Sequence, residues 1–294
     1  MDRLKAMATF VAIVEQGSLS AAAEHLQRSP ASVVRTLAEL ESYLGVRLLN
    51  RTTRRLALTD DGQEYLLRCR RILADVEEAE FVLDARRQSP TGRLAITAPV
   101  TFGRWHLAPL LNQWLQQHPG MVAELTLLDR VVDLLEEGFD LALRIGHLGD
   151  SSLIVMPLGF TRMQVCASPL LLQRVGIPQI PADLVGAPGV LFAPQGHEWP
   201  IGDTRVRLQP VLSSNQIDVV LQGAVSGLGF TRLLGYQVRE ALARGLLQPV
   251  LEDYASALIP VQFVYPHNRL LSPRVRQFLD EVGGALRTLL KDQE

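Results

Sequence analysis

Residues 18–62 read SLSAAAEHLQRSPASVVRTLAELESYLGVRLLNRTTRRLALTDDG. The order of stop and start signals in this stretch decides the fold of the N-terminal region. Gly17 ends a preceding helix in which Leu4, Met7, Ala8, Val11 and Val14 recur at helical spacing. Ser18 or Ser20 can cap the next helix, whose Leu19, Ala22, Ala23 and Leu26 share one face. The run of three alanines permits close approach of a second helix. After the brief turn QRS, Ser29 caps a third helix and Pro30 takes its first position, where the missing N–H costs nothing. Val33, Leu37, Leu40 and Leu44 then form a core-facing stripe that Gly45 stops. Helix, short turn, helix is the helix-turn-helix unit. The segment VRLLNRTTRRLALT that follows alternates around an arginine cluster, which predicts a two-stranded wing with Arg51, Arg54 and Arg55 near its tip.

Charge supports the same reading locally. The 294-residue chain carries a formal net charge of −2, which excludes a wholesale nucleic-acid coat. Residues 1–60, however, hold eight basic and six acidic side chains, a balance of +2, and between Gly45 and Thr59 there are four arginines and no acid. Lys5 and Lys291 are the chain's lysines, so nearly every cation is a guanidinium suited to bidentate contacts with phosphate or guanine. A hydrophobic content of 47% with 20% charged residues is that of a globular protein with real cores. The longest apolar runs fall well short of the roughly 18 residues of a membrane span, and the N-terminus lacks a signal-peptide core. The expectation is a cytoplasmic protein with no membrane partner.

Beyond the wing, residues 60–88 predict one long helix. Asp60 and Asp61 at its start and Arg86 and Arg87 at its end complement the helix dipole. Leu66, Cys69, Leu73, Val76 and Leu83 form a three-four seam, which asks for a partner helix and hence a dimer. QSPTG at 88–92 is a linker. RLAITA, AELTLL, DLALRI and MQVCA then read as buried strands with amphipathic helices between them. A second α/β set starts near Ile177 with GVLFA, VLSS, GLGFT and a helix around 235–244. VQFVY reads as a return strand, followed by a closing helix at 272–290. Two α/β lobes crossed twice by the chain make a hinged clamp.

Catalytic and metal signals are absent from the sequence. Cys69 and Cys166 have no metal or disulfide spacing, and the six histidines are scattered singly. GLGF at 227–230 lacks the GxGxxG spacing and reads as a close strand approach. No cofactor is expected, and the chain is not read as an enzyme. The rival is a small-molecule binding protein or enzyme whose N-terminal part survives only as a dimerisation module.

The pieces GSLSAAAEHL, LAELESYLGVRLLNR and LALTDDG, in this order and spacing, closely resemble the winged helix-turn-helix of the LysR-type transcriptional regulators. The resemblance extends over the whole chain. GRLAITAPVTFGRWHLAPLL and DRVVDLLEEGFDLALRIGHLGDSSL are similar to the CrgA-like, aromatic-acid-responsive branch. It implies an all-α winged helix-turn-helix at 1–59, a linker and dimerisation helix at 60–88, and a two-lobed effector domain at 92–294 like the periplasmic binding proteins. Lobe I would take about 92–163 and 265–294, and lobe II about 164–264. The implied partners are double-stranded DNA, a small-molecule effector, further copies of the chain as dimer and tetramer, and RNA polymerase.

By the same resemblance, Ser29, Pro30, Ala31, Ser32, Arg35 and Thr36 would face the major groove or its phosphates, and Arg51, Arg54 and Arg55 the backbone or minor groove. Effector contacts would come from Pro99, Val100, Thr101, Phe102, Arg144, Gly146, Ser214, Asn215, Phe230 and Thr231. Thr101 and Asn215 are candidate donors, and Phe102 and Phe230 a candidate ring sandwich. Arg144 would bind an anion or pair with Asp140 or Asp129. One departure is Val34, where the family often has serine before the recognition-helix arginine. Valine offers an apolar contact and no hydrogen bond.

Overall fold

A computed structural model of the chain describes residues 1–52, 55–83, 90–149, 153–266 and 272–291. Three helices open it: α1 (Arg3–Glu15), α2 (Leu19–His25) and α3 (Pro30–Leu44). Their ends follow the local chemistry. Ser18 accepts from Ala21 N–H, so of the two candidate caps it is the one used, and Ser29 accepts from Ser32 N–H. Gly45 adopts a φ of 73°, in the left-handed region, and so ends α3 where a side chain would be strained. Phe10, Ile13, Ala22, Ala23, Val33, Leu37 and Leu40 form one core. The wing pairs β1 (Leu49–Thr52) with β2 (Arg55–Leu58), antiparallel, Leu49 opposite Leu58 and Thr52 opposite Arg55.

Helix α4 (Asp60–Leu83) begins against the wing. A Cβ on Gly62 would collide with the Leu48 carbonyl oxygen, so this close approach requires glycine. The predicted seam divides in two. Leu66 and Cys69 are buried in the chain's own N-terminal core, whereas Leu73 and Val76 stay partly exposed. The first half of the seam therefore needs no partner helix. Arg70 pairs with Glu15 of α1 at 3.0 Å and fixes the same junction. Arg86 and Arg87, and the rest of the segment to residue 89, lie outside the described residues.

Lobe I is a five-stranded sheet in the order β4-β3-β5-β14-β6: β3 (Gly92–Ala98), β4 (Met121–Leu127), β5 (Leu141–Ile145), β6 (Leu153–Thr161) and β14 (Ile259–Pro266). Helix α5 (Val100–Phe102) runs through a π-helical turn at Gly103–Leu107 into α6 (Ala108–Gln117), and α10 (Pro273–Lys291) closes the lobe. Lobe II holds β7 (Met163–Ala167), α7 (Pro169–Val175), β8 (Pro188–Phe192), the hairpin β9 (Glu198–Ile201) and β10 (Thr204–Arg207), β11 (Gln209–Ser214), α8 (Ile217–Val225), β12 (Thr231–Leu234), α9 (Gly235–Ala243) and β13 (Gln248–Val250). Parallel pairing of β11 with β8 and the order β12-β7-β13 are joined by a bridge between Gly189 and Phe230.

Two readings of the sequence need correction here. β14 pairs with β5 and β6, so lobe I regains the chain at Ile259 rather than at 265. GLGFT is mostly turn, and the strand begins only at Thr231. Its glycine does mark a close approach, because a Cβ on Gly229 would lie 2.6 Å from the Pro188 carbonyl oxygen. Among the described residues no helix is long and apolar enough to cross a membrane.

Candidate nucleic-acid interface and ligand-binding cleft

The 100° step of α3 separates two faces. Val33, Leu37 and Leu40 lie inward, while Ser29, Pro30, Ala31 and Arg35 are exposed. The Arg35 side chain is 77% exposed and has Glu39 at 4.0 Å, a distance at which water competes freely. Val34 is half-buried and is not among the side chains packed into the N-terminal core. Glu41 secures the far side of the helix, its Oε1 accepting from the N–H groups of Leu48 and Leu49 at 2.9 and 3.2 Å. This carboxylate sets the wing against the recognition helix.

Ser32 and Thr36 behave differently from their exposed neighbours. Arg28 donates through Nη1 to Thr9 Oγ1 (3.1 Å) and through Nη2 to Ser32 Oγ (3.1 Å) and Thr36 Oγ1 (3.4 Å). Thr36 Oγ1 also donates to the Ser32 carbonyl. Thr36 is thus committed within the domain. Sequence reasoning missed Arg28, which lies in the turn before α3 and reaches over to Ser32 and Thr36, the two polar side chains four residues apart on one side of that helix. Arg51 and Arg55 fall in the wing strands. Arg54 lies outside the described residues.

The predicted effector residues cluster where strands end. Thr101 follows β3, Arg144 and Gly146 end β5, Ser214 and Asn215 end β11, and Phe230 and Thr231 open β12. The aromatic sandwich does not form. Phe102 has no exposed surface and packs edge-on against Tyr236 of α9 at 5.1 Å, in a core that joins lobe I to this residue of lobe II. Phe230 is 2% exposed and belongs to a core of lobe II. Thr231 is fully buried and Thr101 nearly so. Ser214 Oγ accepts from Gln216 N–H, which leaves Asn215 as the exposed amide of the pair.

Electrostatics sharpen the site. The first N–H of α5, at Val100, donates to Asp129 Oδ1 at 3.0 Å, so an internal carboxylate already occupies that helix end. Neither predicted acid pairs with Arg144. Asp140 instead accepts from Ala95 N–H at 2.7 Å and has Arg274 at 3.8 Å, and burial raises its carboxyl above the ordinary range. Arg144 donates through Nη1 to the Arg130 carbonyl at 3.1 Å, while its buried Nη2 has no partner among the described residues. Burial lowers this guanidinium from its ordinary value. Gly146, at φ 131°, presents its carbonyl to Gln262 Nε2 at 3.0 Å. A cation with an unused donor thus sits at the end of β5.

An ion pair crosses between the lobes: Arg104 Nη2 lies 2.6 Å from Asp218 Oδ2, from the π-helical turn of lobe I to α8 of lobe II. Trp105 beside it packs on both the lobe I core and the α8–α9 cluster. π-Helical turns recur at functional sites because they re-aim a side chain within an otherwise regular helix.

Comparison with known proteins agrees at both ends of the chain. Residues 4–63 match the family described as bacterial regulatory helix-turn-helix protein, lysR family, and residues 87–287 match the LysR substrate binding domain. The sequence is 36% identical over 291 residues to an HTH-type transcriptional repressor of Pseudomonas aeruginosa, covering 96% of this chain and 92% of that protein. It is 33% identical over 293 residues to the transcriptional activator AaeR of Escherichia coli, covering 96% and 93%. Among solved structures, CrgA, a LysR-type transcriptional regulator from Neisseria meningitidis, aligns with a TM-score of 0.62 at 33% identity, over 96% of this chain and 98% of that one.

Proposed function

The chain belongs to the LysR family of transcriptional regulators, and on that premise we propose how its two ends work together. It is a DNA-binding regulator with an effector-binding domain, and we read it as such rather than as an enzyme. The observation that carries the DNA assignment is the open outer face of α3, where Arg35 reaches solvent with a single weak neighbour. Ser29, Pro30, Ala31 and Arg35 meet the major groove. Ser32 and Thr36 hold Arg28, which aims the start of α3. Arg51, Arg54 and Arg55 follow phosphates or enter the minor groove, setting affinity and its salt dependence.

The distal part of α4, where Leu73 and Val76 are partly exposed, pairs with a second copy, and effector domains join dimers into a tetramer, so the target is an interrupted inverted repeat. The effector is a small carboxylate held by Arg144, with Thr101, Gly146, Ser214 and Asn215 as nearby polar groups. Its binding changes the angle between DNA-binding pairs, and so the access of RNA polymerase, in the cytoplasm. For this the ligand must favour one arrangement of the lobes over the other. Relatives include both a repressor and an activator, so the sign of regulation lies in where on a promoter the protein sits.

Gel shifts on the DNA upstream of the gene, without effector, test the assignment. Selective, salt-sensitive retardation is expected, and Arg35→Ala should weaken it by about 1–3 kcal/mol while melting little changed. Equal affinity for unrelated DNA, or no effect of the substitution, would favour the rival of a ligand-binding protein with a vestigial N-terminal module.

A further inference from the structure

None of the ten predicted effector residues lines a cavity of about 430 Å³ that lies at the hinge. Both crossings between the lobes border it. The first runs from the end of β6 through Arg162 to the start of β7, and the second from Leu251 to Leu258. Ser256 Oγ ties the two together by accepting from Met163 N–H at 2.9 Å. The size falls in the range of small-molecule sites, about 300–1,000 Å³.

The lining has two kinds of chemistry. Met163, Val165, Val250, Leu251 and Tyr254 make an apolar wall. Against it stand Arg162, Arg232 and Arg239 with a single acid, Glu252. The sheet order explains Arg232. Along β12 the side chains alternate, Thr231 and Leu233 buried, Arg232 and Leu234 partly open. Arg232 lies opposite Val165 of β7, which in turn lies opposite Val250 of β13, so the guanidinium shares a sheet face with two valines. Among the described residues no acid is paired with it, and burial alone pulls it below its ordinary value. Gln164, whose register partner is Leu233 and which therefore projects from the other face of β7, also borders the cavity and has a buried Oε1 without a partner. A half-sunk cation beside an apolar wall is costly unless something fills the space.

We propose that this hinge cavity is a second ligand site, separate from the cleft, for a small oxyanion (carboxylate or phosphate) carried on an apolar or aromatic body. Arg232 binds the oxyanion, Arg162 closes over it from the exposed rim, and the wall of Met163, Val250, Leu251 and Tyr254 takes the body. Because both crossings touch the cavity, occupancy stiffens the hinge and alters the free energy of lobe closure. Coupling to the cleft is then reciprocal.

Calorimetry with benzoate and phenyl phosphate tests this directly, independently of any DNA readout. The full-length chain carrying Arg144→Gln removes the cleft's anion contact and should still bind at least one probe. Adding Arg232→Gln should weaken that binding at least about tenfold, with partial recovery in Arg232→Lys. Neutral benzamide should not bind. Hydrogen exchange should slow at residues 160–165 and 249–258. Loss of all binding on Arg144→Gln alone, survival of binding in Arg232→Gln, or equal binding of benzamide would overturn the proposal. If Arg232→Gln lowers the melting temperature, the rim variant Arg162→Gln decides: a several-fold weaker probe affinity supports the site, and an unchanged one refutes it.

Discussion

The recognition helix and the ligand cleft solve opposite problems with the same kinds of residue. On α3 a single turn of helix carries both the side chains that hold the fold and the one proposed to meet DNA: Val33 and Leu37 are sealed while Arg35 stands in water. Around the cleft, groups with a functional look are spent on each other. Asp129 caps α5, Arg104 pairs with Asp218, and Phe102 packs on Tyr236. A surface that reads DNA is complete before its target arrives. A surface that responds to a ligand is built of contacts the ligand must replace, and in the mechanism proposed above that exchange moves the lobes.

The sharpest test of this contrast is Phe102→Ala. A fully buried phenylalanine should cost about 3–5 kcal/mol of stability on denaturant titration. If instead stability held and only ligand affinity fell, Phe102 would line the cleft and the contrast would weaken. Next comes Val34→Ser. A half-buried side chain outside the core should cost about 1 kcal/mol or less in stability, yet shift operator preference by at least as much, since it exchanges an apolar contact for a hydrogen bond. A large fall in melting temperature with unchanged preference would place Val34 on the core side. Arg104→Ala should cost about 1 kcal/mol or less, because the pair is largely exposed. Small-angle scattering at low salt should nonetheless record a wider lobe separation; an unaltered profile would remove the pair from the mechanism.

The smallest effect concerns His106, whose imidazole is held below the ordinary histidine value of about 6.5 first by burial and then by the Arg239 charge. Its folded form therefore prefers to stay neutral. As pH falls below about 6.5 the unfolded chain takes up a proton that the folded chain resists, so stability drops on acidification and is flat above. His106→Gln should remove that part of the slope in melting temperature against pH. An unchanged slope would assign the acid sensitivity to other groups.

How far the sequence reveals all this depends on the range of the interaction. The start of α3 is written in adjacent residues, Ser29 and Pro30, and its end in Gly45, so those boundaries are legible. β6 is the counterexample. It is the longest strand of lobe I, yet Pro157 and Gly159 interrupt its pattern. Only its place at the sheet edge, with a register shift against Val261 and Gln262, makes the proline tolerable. The hairpin of β9 and β10, by contrast, carries a local signal, the two-residue turn Gly202–Asp203 with Gly202 at φ 55°. In the cleft, a polar residue at a strand end is readable, but whether its hydrogen bond is already used is not. Arg144 and Ser214 look alike in sequence, and only the fold shows that one keeps a free donor while the other has turned to Gln216.

The division of α3 also bears on how such a protein changes over generations. Ser29 apart, which caps the helix, the outward residues Pro30, Ala31 and Arg35 owe little to the interior. The ties that place the helix, Arg28 to Thr9 and Glu41 to the wing, run along other sides of it. If residues 30, 31 and 35 read the operator as proposed, substitutions there redirect the protein to a new one without a compensating change in the core. A duplicated copy of the gene would begin with its address line already detachable from its fold.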